Sequence, residues 1–131
     1  MAEEPEINDP HTVAEVTAAF MRYEEALNTN DVAVLNELFR DAPYTLRFGI
    51  AEESYGHAQI AAFRGARTPP GRRVISNTVI TAFGRDFATA STEFRRPGQV
   101  RNGRQQQSWV RFAEGWRIVA AHVSFSVADP K

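Results

Sequence analysis

Between Asp9 and Asn30 the apolar residues Val13, Val16, Phe20, Tyr23 and Leu27 recur at spacings of three and four, the period of a helix with one buried face. Asp9 can cap this helix and Pro10 suits its first turn. A second short helix is predicted after the Asn28-Thr29-Asn30 turn, opened by Asp31 and turned inward through Val34, Leu35, Leu38 and Phe39, so that the two form an antiparallel pair. Residues 44–48 read as a strand and 57–64 as a third helix behind Gly56. Beyond the loop Thr68-Pro69-Pro70-Gly71 the period changes. Residues 72–83, 86–96, 104–113 and 116–126 are strand-like, rich in Val, Ile, Phe and Thr, and broken at Gly84-Arg85 and Pro97-Gly98. Helices followed by a meander of long antiparallel strands form an α+β pattern, in which a curved sheet wraps its concave face over the helices. At 131 residues the expectation is one domain, spanning 9–128 after a flexible N-terminus of residues 1–8.

The last two strands form a hairpin in QQQSWVRFAEGWRIVAAHVS, residues 105–124, with Glu114-Gly115 as its turn. Counting outward from Ala113 opposite Trp116 sets Trp109 against Ala120, Gln107 against His122 and Gln105 against Ser124, all on one face. Val110, Phe112, Val119, Ala121, Val123 and Phe125 take the other face. A face carrying a large aromatic, amides, an imidazole and a hydroxyl reads as a lined pocket about as well as it reads as one wet side of a strand. The aliphatic side, Val110, Val119, Ala121 and Val123, has no evident cover, and it predicts a homodimer through the sheet.

The net charge of −1 conceals two opposed halves. Residues 1–53 carry three Arg against twelve acids, and residues 54–131 carry eleven Arg and Lys131 against four. Arg suits bidentate recognition of carboxylates, so the basic half could serve a small anion, although Arg tips on a solvated sheet would account for most of them. Without a basic run or a known recognition motif, nucleic acid is not an expected partner. No apolar run is long enough to span a bilayer and the segment MAEEPEINDP is acidic, unlike a leader, so the expected location is the cytoplasm. No cysteine is present, which removes disulfides and thiolate chemistry.

The order of these elements, with AFMRYEEALNTNDVAVLNELF at 19–39 and GWRIVAAHVS at 115–124, resembles the nuclear transport factor 2-like superfamily, also called SnoaL-like. Within it, YTLRFGIAEESYGHAQIAAFRGAR at 44–67 and GRQQQSWVRFAEGWRIVAAHVS at 103–124 resemble the AtzH/HpxZ family, whose members are encoded beside amidase-signature hydrolases. The resemblance implies a cone-shaped α+β fold with a pocket between the first helices and the concave sheet. It also implies amidohydrolase activity on 1,3-dicarboxyurea, giving allophanate in cyanuric acid and nitrogen catabolism. The family's functional pair, a tyrosine late in the first helix and an arginine on the first strand, falls on Tyr23 and Arg47. By alternation alone Arg47, flanked by Leu46 and Phe48, would be a solvated charge, and Tyr23 on its buried stripe would be a core phenol.

Several chemistries are excluded by inventory. The only Lys is terminal, which removes a Ser-Ser-Lys triad and Schiff-base chemistry, and no Gly-x-Ser-x-Gly elbow occurs. His11, His57 and His122 lack metal-ligand spacing, and no phosphate or dinucleotide fingerprint is present, so neither a metal nor a cofactor is implied. What remains is hydrolysis or decarboxylation helped by position and electrostatics, and the resemblance implies a carbamate-like dianion as substrate with Tyr23 and Arg47 as catalytic candidates. Gln107, Trp109, His122 and Ser124 are the substrate-binding candidates. Two other classes stay open: a binding protein that holds the ureido compound for an adjacent amidase, and an isomerase or cyclase needing a carboxylate base, for which Glu93 is the strand acid.

Overall fold

A computed structural model describes residues 3–127. The order is α1 (Pro10–Thr29), α2 (Val32–Leu38), β1 (Leu46–Phe48), β2 (Glu53–Tyr55), α3 (His57–Ala66), β3 (Val74–Phe83), β4 (Phe87–Arg95), β5 (Gly103–Phe112) and β6 (Gly115–Phe125). Six strands form one sheet in the order β2-β1-β6-β5-β4-β3, antiparallel except where β1 lies parallel to β6. The α+β class read from the sequence holds, and β2 is an added three-residue strand.

The helix signals act as expected. The Asp9 carboxylate accepts from the Thr12 N–H at 3.0 Å with Pro10 in the first turn, and Asn30, in the left-handed region at φ 55°, ends α1. Val16, Phe20, Tyr23 and Leu27 bury one face of α1 against the concave side of the sheet, where Ala82, Ala88 and Ala90 are small enough to let the helix approach. Leu35, Leu38 and Phe39 close the same core from α2, and Ile60 from α3. Residues 6–8, expected to precede the domain, bond to its edge strand: the Asn8 N–H donates to the Ala82 carbonyl at 2.9 Å and the Gly84 N–H to that of Glu6 at 2.8 Å. The expected boundary at residue 128 lies outside the described residues.

The hairpin register requires correction. Its loop is Ala113-Glu114, and β5 pairs Phe112 with Gly115 and Trp109 with Ile118. A bulge then shifts the register, so that Ser108 faces Ala120, Gln107 faces Ala121, Gln106 faces His122 and Gln105 faces Val123. One inserted residue reverses the faces of everything beyond it. The bulge falls where β6 changes neighbour: Ile118 bridges Phe39, and from Ala120 onward β1 runs alongside. His122 and Ser124 therefore leave the face of Gln107 and Trp109 for the outer side of the sheet, while Ala121 and Val123 turn inward. The aliphatic back face on which the homodimer expectation rested is accordingly split between the two sides.

Several carboxylates tie the fold together and lie below their ordinary range. Asp9 is held there by Thr12, Glu15 by the Trp116 indole N–H, Glu37 by Arg22, and Glu93 by Asn77 and Asn102. Depressed folded-state values mean that their stabilisation is complete above the unfolded carboxylate range and is lost as pH falls through the lowered values. The melting temperature should stay level from neutrality to about pH 5 and then fall steadily, as thermal scans across that range would record.

Candidate functional site

Where the ends of α1 and α3 meet the concave sheet, a cavity of about 200 Å³ opens between Tyr23, Arg47, Phe63, Arg73 and Phe94, with Arg67 and Arg96 also in its wall. Arg47 reaches it because β1 sits between β2 and β6, with Arg47 opposite Ser54 and Ala121, so its side chain enters the concave face beneath α3. It is 7 % exposed, not the solvated charge that alternation alone allowed. Glu52 folds back from the β1–β2 turn to bond Arg47, and the Ser54 hydroxyl donates to the same carboxylate. Gly49 leaves room for that pair, since a Cβ there would stand 2.5 Å from Glu52 Oε1 and 2.7 Å from Arg47 Nη1.

Arg73 is bound from the other side. Its Nε donates to Glu24 Oε2 at 3.2 Å and its Nη2 to Gln105 Oε1 at 2.9 Å, with a second bond from Nη2 to Glu24 Oε1. Two phenyl rings organise the guanidinium groups. Arg47 and Arg67 each lie 5.5 Å from the Phe63 centroid, and Arg73 and Arg96 lie 4.4 and 5.3 Å from that of Phe94. Each ring thus carries one arginine answered by a carboxylate and one, Arg67 or Arg96, with no carboxylate partner among the described residues. Phe94 lies across from Gly103, where any Cβ would run into its ring.

Tyr23 is 2 % exposed, and its hydroxyl accepts from Arg64 Nη2 at 3.1 Å. Burial by itself would raise the phenol, but the positive charges of Arg64, Arg47 and Arg73 outweigh it and hold Tyr23 below its ordinary value of 10.0. Arg67 is pushed down to about 10 by burial and by the like charges of Arg64 and Arg47. It remains a cation at neutral pH. The buried side-chain atoms here without a partner among the described residues are all N–H donors: Arg64 Nε and Nη1, Gln105 Nε2 and Gln107 Nε2. The amide orientations follow from their other bonds, since Gln105 Oε1 accepts from Arg73 and Gln107 Oε1 accepts from Trp109 Nε1 at 3.1 Å.

Of the sequence candidates, Tyr23 and Arg47 meet in this cavity. Gln107 and Trp109 share its side of the sheet but lie deeper, almost completely buried in the core, so Trp109 is a packed core residue and not an exposed pocket wall. His122 and Ser124 line a separate groove of about 370 Å³ on the outer face, with Asn77, Glu93, Arg104 and Gln106. Most of its polar groups bind one another: Glu93 binds Asn77 at 2.9 Å and also Asn102, Arg104 binds the Phe125 carbonyl at 3.2 Å, and Gln106 binds Ser91 at 3.1 Å. Arg64, Arg67, Arg73, Arg96 and Gln105 are the site residues that the candidate set missed. Arg64 had a legible signal, since it follows Ile60 by four residues on the inward face of α3, whereas Arg67 lies just past the end of that helix.

A curved sheet closed by three helices over a guanidinium-lined cavity places the chain among nuclear transport factor 2-like proteins. A superfamily protein of that name from Salmonella enterica serovar Typhimurium LT2 superimposes with a TM-score of 0.74 at 25 % identity, over 92 % of this chain and 94 % of that one. The chain belongs to the AtzH-like family, whose model matches residues 5–129. Two solved structures are far more similar. A protein of unknown function of the DUF3225 family from Pectobacterium atrosepticum SCRI1043 is 55 % identical with a TM-score of 0.90, covering 92 % of this chain and 94 % of that one. A cystatin-like fold protein from Burkholderia xenovorans LB400 is 49 % identical with a TM-score of 0.91, covering 96 % and 99 %. None of the curated proteins compared matches the chain.

Proposed function

We propose that the protein is an amidohydrolase acting on a small ureido dianion, with 1,3-dicarboxyurea to allophanate as the reaction that suits the cavity. The observation carrying this reading is the paired arrangement of arginines around Phe63 and Phe94, each pair holding one guanidinium without a carboxylate. A ligand with a carboxylate at each end would give both a partner, and its central carbonyl could accept from the unpartnered Gln105 amide.

In that reaction the bond that breaks joins a terminal carboxylate carbon to a urea nitrogen. The electron pair stays on nitrogen, which takes up a proton to give allophanate, and the carbon departs as carbon dioxide, or as bicarbonate if water adds to it. No ammonia is released. On this reading Tyr23, in the cavity wall, transfers the proton, and Arg47 binds a carboxylate or the charge developing on the ureido oxygen. No carboxylate lines the cavity among the described residues, Glu24 and Glu52 are tied to arginines, and Glu93 points outward, so an isomerase would lack its base.

A stable dianion tests the recognition step. Glutarate should bind at least about tenfold more tightly than butyrate in calorimetric titrations, since the second carboxylate gains charge-assisted hydrogen bonds. Arg67→Gln and Arg96→Gln should each narrow the difference. Equal affinity for the two acids would count against a dianion site.

A further inference from the structure

We infer that Arg64 is the positioning residue that turns Tyr23 from a core phenol into a proton-transfer group, by serving as its buried cationic partner. Arg64 is 3 % exposed, and the Tyr23 oxygen is the one atom to which it donates among the described residues. Unlike Arg47 and Arg73, it has no carboxylate partner among them. Its guanidinium carbon lies 5.8 Å from the Tyr23 ring centroid and 5.5 Å from that of Phe39, so aromatic faces replace water around it. A buried cation without a counter-charge is unfavourable, and the phenol oxygen is the neighbour able to supply one.

The hydrogen-bond inventory sets the direction. A guanidinium has donors only, so the Tyr23 oxygen must accept from Arg64, and its own proton, when present, points elsewhere. Tyr23 lines the cavity, so that proton has the cavity to point into. The ionised oxygen could take a proton from a ligand there, and the neutral hydroxyl could donate one. The charges around it come from every element packed on it. Arg64 approaches from α3 and Arg67 from its C-terminal cap, Arg47 from β1 with Glu52 behind it, Arg73 from the segment leading into β3 with Glu24 of α1, and Arg96 from just beyond β4. The catalytic meaning of the pair rests on the reading of the cavity as a reaction site, whereas the ionisation is measured with no substrate present.

The test is an ultraviolet titration of tyrosinate, taken as the difference between the wild-type protein and Tyr23→Phe so that the exposed Tyr44 and Tyr55 cancel. The expected result is a single inflection below the ordinary 10.0 of a phenol, moved upward in Arg64→Met, where Arg47 and Arg73 still act on it, and moved less in Arg64→Lys. Circular dichroism establishes that each Arg64 variant folds, since Arg64→Met also leaves the buried Tyr23 oxygen without its donor. If Arg64→Met does not fold, Arg64→Lys carries the test. A wild-type inflection at or above 10.0, or one unmoved in the Arg64 variants that fold, would overturn the inference. An unmoved inflection alongside normal turnover would leave the amidohydrolase reading standing, and a moved one without turnover would do the reverse.

Discussion

Tyr23→Phe is expected to lower turnover of 1,3-dicarboxyurea by about 10²- to 10⁴-fold, the range for losing one positioned proton-transfer group. The substitution removes one oxygen and keeps the ring that packs edge-on to Phe39 at 6.2 Å, but it also takes from the buried Arg64 its one acceptor, so folding is checked alongside turnover. Its effect should appear in kcat, with KM for the dianion nearly unchanged, because the carboxylates are held by arginines and not by the phenol. Arg47→Ala should raise KM as well as lower kcat, since it removes a guanidinium from the cavity wall and strands Glu52. Steady-state kinetics on both variants, with circular dichroism to establish folding, separates the two roles. A Tyr23→Phe protein with wild-type kcat would remove the phenol from the mechanism.

The second large effect is on stability. Glu24→Ala is expected to destabilise the fold by about 3–5 kcal/mol, because it leaves Arg73 buried without its counter-charge. Arg73 is 7 % exposed, makes two bonds to Glu24, and rests on the Phe94 ring, so little of its guanidinium reaches water when Glu24 is removed. For a chain of this size the melting temperature should fall by roughly 10 °C or more. Glu24→Gln keeps an acceptor and should lose less. Unchanged melting of Glu24→Ala would mean that Arg73 finds solvent or another partner.

Both expectations rest on side chains that the sequence revealed unevenly. The stripe from Val13 to Leu27, with Asp9 and Pro10 before it, placed Tyr23 inward because a long helix with one buried face has a period that tolerates no alternative. Arg47 was legible only through resemblance. A three-residue strand is too short for alternation to say which face is buried, and the sheet is covered by α3 on the side that Arg47 enters. His122 and Ser124 were misplaced for a different reason: nothing in RIVAAHVS marks the bulge that reverses their face, which falls where β6 changes neighbour from Phe39 to β1. Arg73 lies beside Arg72 after a Pro-Pro-Gly loop, and only the tertiary contact with Glu24 separates the buried residue from the exposed one. Helix-borne parts of the site were therefore readable, and loop-borne parts were not.

The most direct test of the central claim is the fate of freshly generated 1,3-dicarboxyurea with the purified protein and no amidase, following allophanate by mass spectrometry together with carbon dioxide release. The protein should give saturable acceleration over the spontaneous rate, competed by glutarate. Decay at the spontaneous rate, while glutarate still binds, would contradict that claim and leave a protein that holds such a dianion without transforming it.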